Sequence, residues 1–243
     1  MVQLIETPIL NLINFSSLIC TNAARFVIKS GPKVKCLEFG LRRAQGPNGA
    51  LTATKYSVLG GFVGTSNIYG AMLTGSMCNG TLAHSYIMSF TDEDGPPKGL
   101  ILDGTDLIEE GMKLRSELGW NSTNLAEFYA FASYANAYPT NYVCLVDTYN
   151  TIESGVKNFL IFAVVLKRIG YEPRGIRLDS GDLAGLSIAS KKLFRETGEK
   201  FGFDFSNLIV IASNDINENA IIGLNEADHQ IDVFGIGTNL VTC

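Results

Sequence analysis

From Ile9 to Ser30 apolar residues recur at helical spacing: Leu10, Leu12, Ile13, Leu18, Ala23, Ala24, Phe26 and Val27. The spacing predicts a helix that Gly31-Pro32 ends. Ahead of it, Met1 to Thr7 reads as a short strand closed by Pro8. Val34 to Glu38 is predicted as a strand running into Gly40-Leu41-Arg42-Arg43. A loop follows at Gly46-Pro47-Asn48-Gly49, and Gly60, Gly61, Gly64 and Gly70 punctuate short elements after it. Residues 91–104, with Asp92, Glu93, Asp94, Gly95, Pro96 and Pro97, read as a mobile surface loop. Two helices are expected next, over about 105–118 and about 123–137.

The pattern then becomes regular. Val143 to Val146, Gly175 to Leu178, Leu208 to Ala212 and Ile231 to Phe234 are short apolar runs of strand type. Between them lie helical patterns over Val156 to Ile169, Leu183 to Thr197 and Glu218 to Glu226. Strands alternating with helices predict a parallel α/β sheet of right-handed βαβ units. The alternation suits a barrel and an open doubly wound sheet equally well. No internal repeat or low-complexity segment interrupts it.

Composition narrows the class. A chain of 243 residues with 46% hydrophobic and 18% charged residues is globular. The net charge of -5, with no strongly basic stretch, argues against nucleic acid as a partner. The five cysteines, Cys20, Cys36, Cys78, Cys144 and Cys243, form no metal-ligand spacing and read as reduced, mostly buried thiols of an intracellular protein. No signal peptide is expected, nor an apolar stretch that reaches a membrane span of roughly 20 residues. The cytosol is the expected compartment.

Ligands of α/β folds sit at the carboxyl ends of the strands. Those ends carry Asp147-Thr148-Tyr149, Arg177-Leu178-Asp179-Ser180-Gly181-Asp182, Ser213-Asn214-Asp215 and Gly235-Ile236-Gly237-Thr238. The recurring acids suit a hydrated Mg²⁺ and ribose hydroxyls. Arg177 beside Asp179 suits an anion next to a metal or sugar, and the Gly-Ile-Gly-Thr loop suits a phosphate held by backbone N–H groups. Taken singly, Asp-Ser-Gly-Asp fits a capped helix start better than a site. The joint pattern over four strand ends is the stronger signal.

Upstream, Glu38 and Arg42-Arg43 are either a surface ion pair worth under roughly 1 kcal/mol or an arginine clamp for a carboxylate or phosphate. His84, in Gly80-Thr81-Leu82-Ala83-His84-Ser85, lies at a strand-to-helix junction where it can face an anion. His229, among Glu226, Asp228 and Gln230, reads as solvent-facing.

Together these stretches, with Glu6-Thr7-Pro8, Thr21-Asn22-Ala23-Ala24-Arg25 and Glu38-Phe39-Gly40-Leu41-Arg42-Arg43-Ala44-Gln45-Gly46, resemble the nicotinate phosphoribosyltransferase family, in its order and over nearly the whole chain. The resemblance implies an irregular parallel α/β barrel of the type II phosphoribosyltransferase kind, incomplete at both ends. It implies one barrel-like catalytic domain over 1–243, with part of a second α/β domain contributed by 1–30. The implied enzyme is a homodimer that forms nicotinate mononucleotide and pyrophosphate from nicotinic acid and phosphoribosyl pyrophosphate, with ATP hydrolysis and Mg²⁺, in NAD biosynthesis. By the same resemblance His84 is a phosphohistidine, Thr81 and Arg177 contact nicotinate, Arg42 is a further anion contact and Thr238 contacts phosphoribosyl pyrophosphate. Asp147 and Asp179 fall near the ribose and Mg²⁺, with Asp179 as metal ligand. Gly235, Gly237, Asn214 and Ser180 complete the expected substrate-binding set. A nicotinamide-type enzyme and a non-catalytic fragment that pairs with full-length subunits are the alternatives.

Overall fold

The computed structural model describes residues 2–242. Met1 and Cys243 lie outside the described residues, and with them the first position of the expected N-terminal strand and the fifth cysteine. In chain order the helices and strands are α1 (Val2–Ser30), β1 (Lys35–Glu38), α2 (Gly49–Leu59), β2 (Gly64–Thr65), α3 (Ile68–Thr74), β3 (Met77–Cys78), α4 (His84–Ile87), β4 (Ile101–Leu102), β5 (Thr105–Asp106), α5 (Leu107–Glu117) and α6 (Leu125–Ala137). Then come β6 (Val143–Leu145), a π-helical turn over Thr151–Val156, α7 (Lys157–Arg168), β7 (Gly175–Leu178), α8 (Leu183–Phe201), β8 (Ile209–Ala212), α9 (Glu218–Glu226), β9 (Val233–Ile236) and α10 (Thr238–Val241). The chain divides into two compact units, Met1–Gly80 with Ala212–Cys243, and Thr81–Ile211.

In the first unit the strand order is β3-β2-β1-β9, and each neighbouring pair is parallel. Helix α1 packs on α2, β1 and α9, burying Ile19, Ala23, Phe26 and Ser30. The expected strand before Pro8 is instead the first turns of this helix. Pro8 lacks only the N–H that would have bonded to Leu4, one lost bond that a long helix absorbs near its start. A consequence corrects the apolar-stretch expectation: with residues 2–8 helical, α1 is long and apolar enough to cross a membrane by length and composition. Gly31, at φ 75, ends it. Helix α2 escaped the sequence reading because it has no apolar face, and Asn48 makes no side-chain cap.

The second unit holds β8-β7-β6, with β6 and β7 parallel. Its core helices are α6 and α7. Every residue of α7 from Asn158 to Leu166 is buried, so its strand-like apolar density reflects complete enclosure rather than one buried face. Tyr142 stacks on Phe159 at 5.2 Å, and Phe128 meets Phe162 at 4.7 Å. Asp106, Asn124 and Asp182 cap α5, α6 and α8, each satisfying backbone N–H groups that a helix start leaves open. The expected loop over 91–104 is largely irregular, and its end forms a two-stranded antiparallel hairpin of β4 and β5.

Cys36 and Cys144 are buried, Cys20 is half-buried and Cys78 exposed, all four as free thiols. Burial pushes the Cys36 and Cys144 thiols up from their ordinary range. His229 departs from its expected exposure. It is half-buried, lies edge-on to Phe234 at 5.6 Å and accepts from the Ile231 N–H at Nδ1. Burial lowers its pKa, against the pull of Asp232 and Asp228. It is a structural histidine that holds the turn before β9.

Candidate active site

The second unit gathers five of the predicted residues, Thr81, His84, Arg177, Asp179 and Ser180, around a sixth, the buried carboxylate of Asp147. Strand β6 ends at Leu145, and two residues later the Asp147 side chain is only 1% exposed. Both of its oxygens are engaged. Oδ1 lies 3.2 Å from Nε2 of His84. Oδ2 accepts the Asp179 N–H at 2.8 Å and the Ser180 hydroxyl at 2.6 Å. An ionised carboxylate has only acceptors, so the proton of that histidine contact sits on Nε2, and Nδ1 is the basic nitrogen of the neutral ring. The imidazole remains 39% exposed, so it is oriented from behind and reachable from solvent.

Arg177, on β7, donates to the Thr81 hydroxyl at 3.1 Å and to Asp179 Oδ1 at 3.1 Å. Its side chain is 20% exposed and that of Asp179 26%. Thr81 and Arg177, both expected to contact nicotinate, are in contact with each other. The Asp-Ser-Gly-Asp segment divides its labour: Asp179 and Ser180 turn to Asp147, while Asp182 accepts the Gly185 N–H at 3.1 Å and caps α8. His84 is the first residue of the four-residue α4, which is too short to supply a useful dipole. Its orientation comes from Asp147.

In the first unit the predicted residues are differently placed. Glu38 is 1% exposed and does not make the surface ion pair expected with Arg42 and Arg43. Its Oε1 accepts the Gly40 N–H, and its Oε2 accepts the hydroxyls of Thr54 at 3.0 Å and Thr65 at 2.5 Å. Arg42 is exposed, in a short 3-10 turn over Leu41–Arg43. Asn214 is exposed with φ 80, followed by Asp215 at φ 48, a left-handed pair that Asn and Asp tolerate. Gly235 lies inside β9, where a Cβ would meet the Phe39 ring at 2.5 Å, so packing against that ring requires the glycine. Gly237 precedes α10, which Thr238 opens half-buried.

One group of residues went unremarked in the sequence. Glu127, Ser154 and Asn158 form a buried polar network beneath the π-helical turn. A glutamate inside the apolar run Leu125-Ala126-Glu127-Phe128-Tyr129 was its available signal, because an acid so surrounded must be buried with partners or exposed at a cost.

No family model matches the sequence. Among curated proteins, the nicotinate phosphoribosyltransferase of Dictyostelium discoideum is 51% identical over 246 residues, covering 99% of this chain and 42% of that protein. Nicotinate phosphoribosyltransferase 1 of Arabidopsis thaliana is 44% identical, covering 100% of this chain and 46% of that protein. The crystal structure of human nicotinic acid phosphoribosyltransferase superposes with a TM-score of 0.88 at 39% identity, over 97% of this chain and 50% of that one. Over nearly its whole length the chain is similar to one portion of these nicotinate phosphoribosyltransferases. It spans about half the length of these relatives. The expected fold class, a parallel α/β barrel arrangement that is incomplete, is borne out by the match to the human enzyme.

Proposed function

We propose that the chain carries the phosphohistidine and base-binding part of a nicotinate phosphoribosyltransferase, which makes nicotinate mononucleotide for NAD biosynthesis in the cytosol. The observation that carries this reading is the buried Asp147 holding a half-exposed His84 by Nε2. With that nitrogen committed, Nδ1 is the nucleophile. It attacks the γ-phosphorus of ATP, ADP departs, and Asp147 balances the positive charge that develops on the ring. The guanidinium of Arg177 would meet the nicotinate carboxylate, with the Thr81 hydroxyl fixing its orientation. An anionic base is favoured over an uncharged amide by this cation. The pyridine nitrogen then attacks C1 of phosphoribosyl pyrophosphate, forming the N–C bond as the C–O bond to pyrophosphate breaks. Thr238, with Gly235, Gly237, Asn214 and Arg42, supplies the remaining proposed anion contacts.

Mg²⁺ would reach this chain with the substrate's phosphates. No group of three or more potential ligands exists among the described residues, so an all-protein cage is absent among them. Mg²⁺ binds in such cases through one or two carboxylates plus phosphates and water. Asp179 is the residue that would hold it, since its side chain reaches solvent while that of Asp147 is enclosed. When bound, the ion neutralises charge on the departing pyrophosphate. The exposed apolar side chains of Val2, Leu4, Leu12 and Ile13 on α1 support association into a homodimer.

The test is product formation from labelled nicotinic acid, phosphoribosyl pyrophosphate, Mg²⁺ and ATP, with a full-length relative beside this chain. Nicotinate mononucleotide from both, or from this chain once mixed with an inactive full-length variant, is the expected result. Failure of this chain under both conditions while the full-length control turns over would refute the assignment of activity to it.

A further inference from the structure

Beneath His84 and Asp147 lies a second carboxyl with unusual surroundings. Glu127, on α6, is fully buried. Its Oε2 accepts from the Ser154 hydroxyl at 2.5 Å and from Nδ2 of Asn158 at 3.0 Å. Ser154 Oγ also accepts the Asn124 N–H at 2.9 Å, and Asn158 Nδ2 is shared with the Asn124 carbonyl at 3.0 Å. Two buried oxygens remain without a hydrogen bond in this cluster: Oε1 of Glu127 and Oδ1 of Asn158. Two acceptors cannot satisfy each other, but one added proton makes them donor and acceptor.

The electrostatic setting favours that proton. Asp147, at the end of β6, acts on Glu127 with like charge. Tyr142 and Cys144, on the same side, are fully buried and kept neutral by that burial. The nearby cations are committed elsewhere: Lys157 on α7 pairs with exposed Glu153 at 2.6 Å, and Arg115 on α5 donates to Thr123 and Asn121. Desolvation pushes the Glu127 carboxyl up to about 7, against the lowering effect of Ser154 and Asn158.

The cluster also has a mechanical route to the site. Ser154 belongs to the π-helical turn that follows Asp147. Its neighbour Gly155 presses so closely on the Val146 carbonyl that any Cβ would collide with it, and Val146 is the residue before Asp147. Such turns recur at functional sites because they re-aim adjacent residues. We propose that Glu127 holds a proton, donated from Oε1 to Oδ1 of Asn158, and that this neutral acid is the positioning residue that sets the turn, Asp147 and through it His84. The role of His84 in this inference rests on the phosphohistidine reading above; the proton on Glu127 does not.

The amide of Glu127→Gln reproduces the neutral acid, with its NH₂ where Oε1–H would be. Infrared difference spectra of the full chain are expected to contain a protonated-carboxyl band that Glu127→Gln removes and that titrates away as pH rises through about 7. Ring ¹⁵N spectra of His84, told apart from His229 with His229→Gln, should match between wild type and Glu127→Gln near pH 6 and change in Glu127→Ala. Phosphate labelling of wild type should fall as pH rises beyond that midpoint, about tenfold per unit, and Glu127→Gln should be spared the fall. Absence of the acid band near pH 6 overturns the proton. A His84 spectrum disturbed as much by Glu127→Gln as by Glu127→Ala, or unchanged in both, overturns the positioning. If spectra behave as expected while no chain takes label at any pH, the phosphohistidine reading has failed and the protonated Glu127 stands.

Discussion

Glu38 and Asp147 invite comparison, because each is a buried acid at the carboxyl end of a parallel strand and each has both oxygens engaged. Every hydrogen-bond partner of Glu38 named above is structural: a backbone N–H at Gly40 and the hydroxyls of Thr54 and Thr65. It ties β1, β2 and α2 together within the first unit. Asp147 spends one oxygen on the loop after β7 and the other on an imidazole that solvent can reach. The same sequence signal, an acid where a strand stops, thus yields a fastening in one unit and a carboxylate–imidazole pair open to solvent in the other. What separates them is whether one partner has a second face open to a ligand.

Substitutions can break that contrast. The largest effect is expected at His84: His84→Ala should abolish ATP-dependent phosphorylation and the coupling of ATP hydrolysis to product, while leaving slow uncoupled turnover. Loss of all turnover would show that the imidazole does more than carry phosphate. Next comes Asp147→Asn, whose amide can donate where a carboxylate only accepts. It should cost about 10²- to 10⁴-fold in labelling rate by releasing the Nε2–H tautomer, with little change in melting temperature. Glu38→Gln should do the reverse, costing about 1–3 kcal/mol of stability through an unsatisfied buried group and leaving His84 labelling intact. Denaturant titration beside the labelling assay separates the two outcomes, and equal damage to both readouts in both variants would dissolve the comparison.

Sequence patterns carried the alternation of β6 to β9 with its helices because complete burial makes those strands uniformly apolar. They also carried the convergence of Arg177, Asp179, Ser180 and Asp147, since strand ends of parallel sheets share one edge, whereas the resemblance was what added Thr81 and His84. Other features depend on tertiary contacts that local pattern does not encode. Pro8 looked like a break, yet α1 runs through it. Helix α2 has no apolar stripe to announce it. Gly235 carries a packing demand from Phe39 that the glycine pattern did not announce, and Glu38 beside Arg42 and Arg43 read as one charged group although Thr54 and Thr65 take its oxygens.

A smaller effect should appear at Arg177. Arg177→Lys keeps the charge but loses the planar fork that reaches both Thr81 and Asp179. KM for nicotinate should rise about tenfold with a lesser change in kcat. The smallest concerns pH. Glu127 has its folded pKa raised from 4.5 to about 7, so the native state binds more protons than the unfolded chain between those values. Its contribution to stability is therefore fully present below the unfolded pKa and is lost as pH rises toward about 7, by a few kcal/mol at most. Glu127→Gln should flatten that slope in denaturant titrations across pH 4.5–7. An unchanged slope would place the titrating group elsewhere.

The central claim, that Asp147 presents His84 as a phosphoacceptor, is tested most directly by incubating the chain with γ-labelled ATP and Mg²⁺ and mapping any acid-labile phosphate. With only two histidines in the sequence, the assignment is simple. Label on His84 that survives in His229→Gln and disappears in His84→Ala is the predicted result. Label that persists in His84→Ala, or no acid-labile phosphate on a chain that nevertheless consumes ATP, would contradict it.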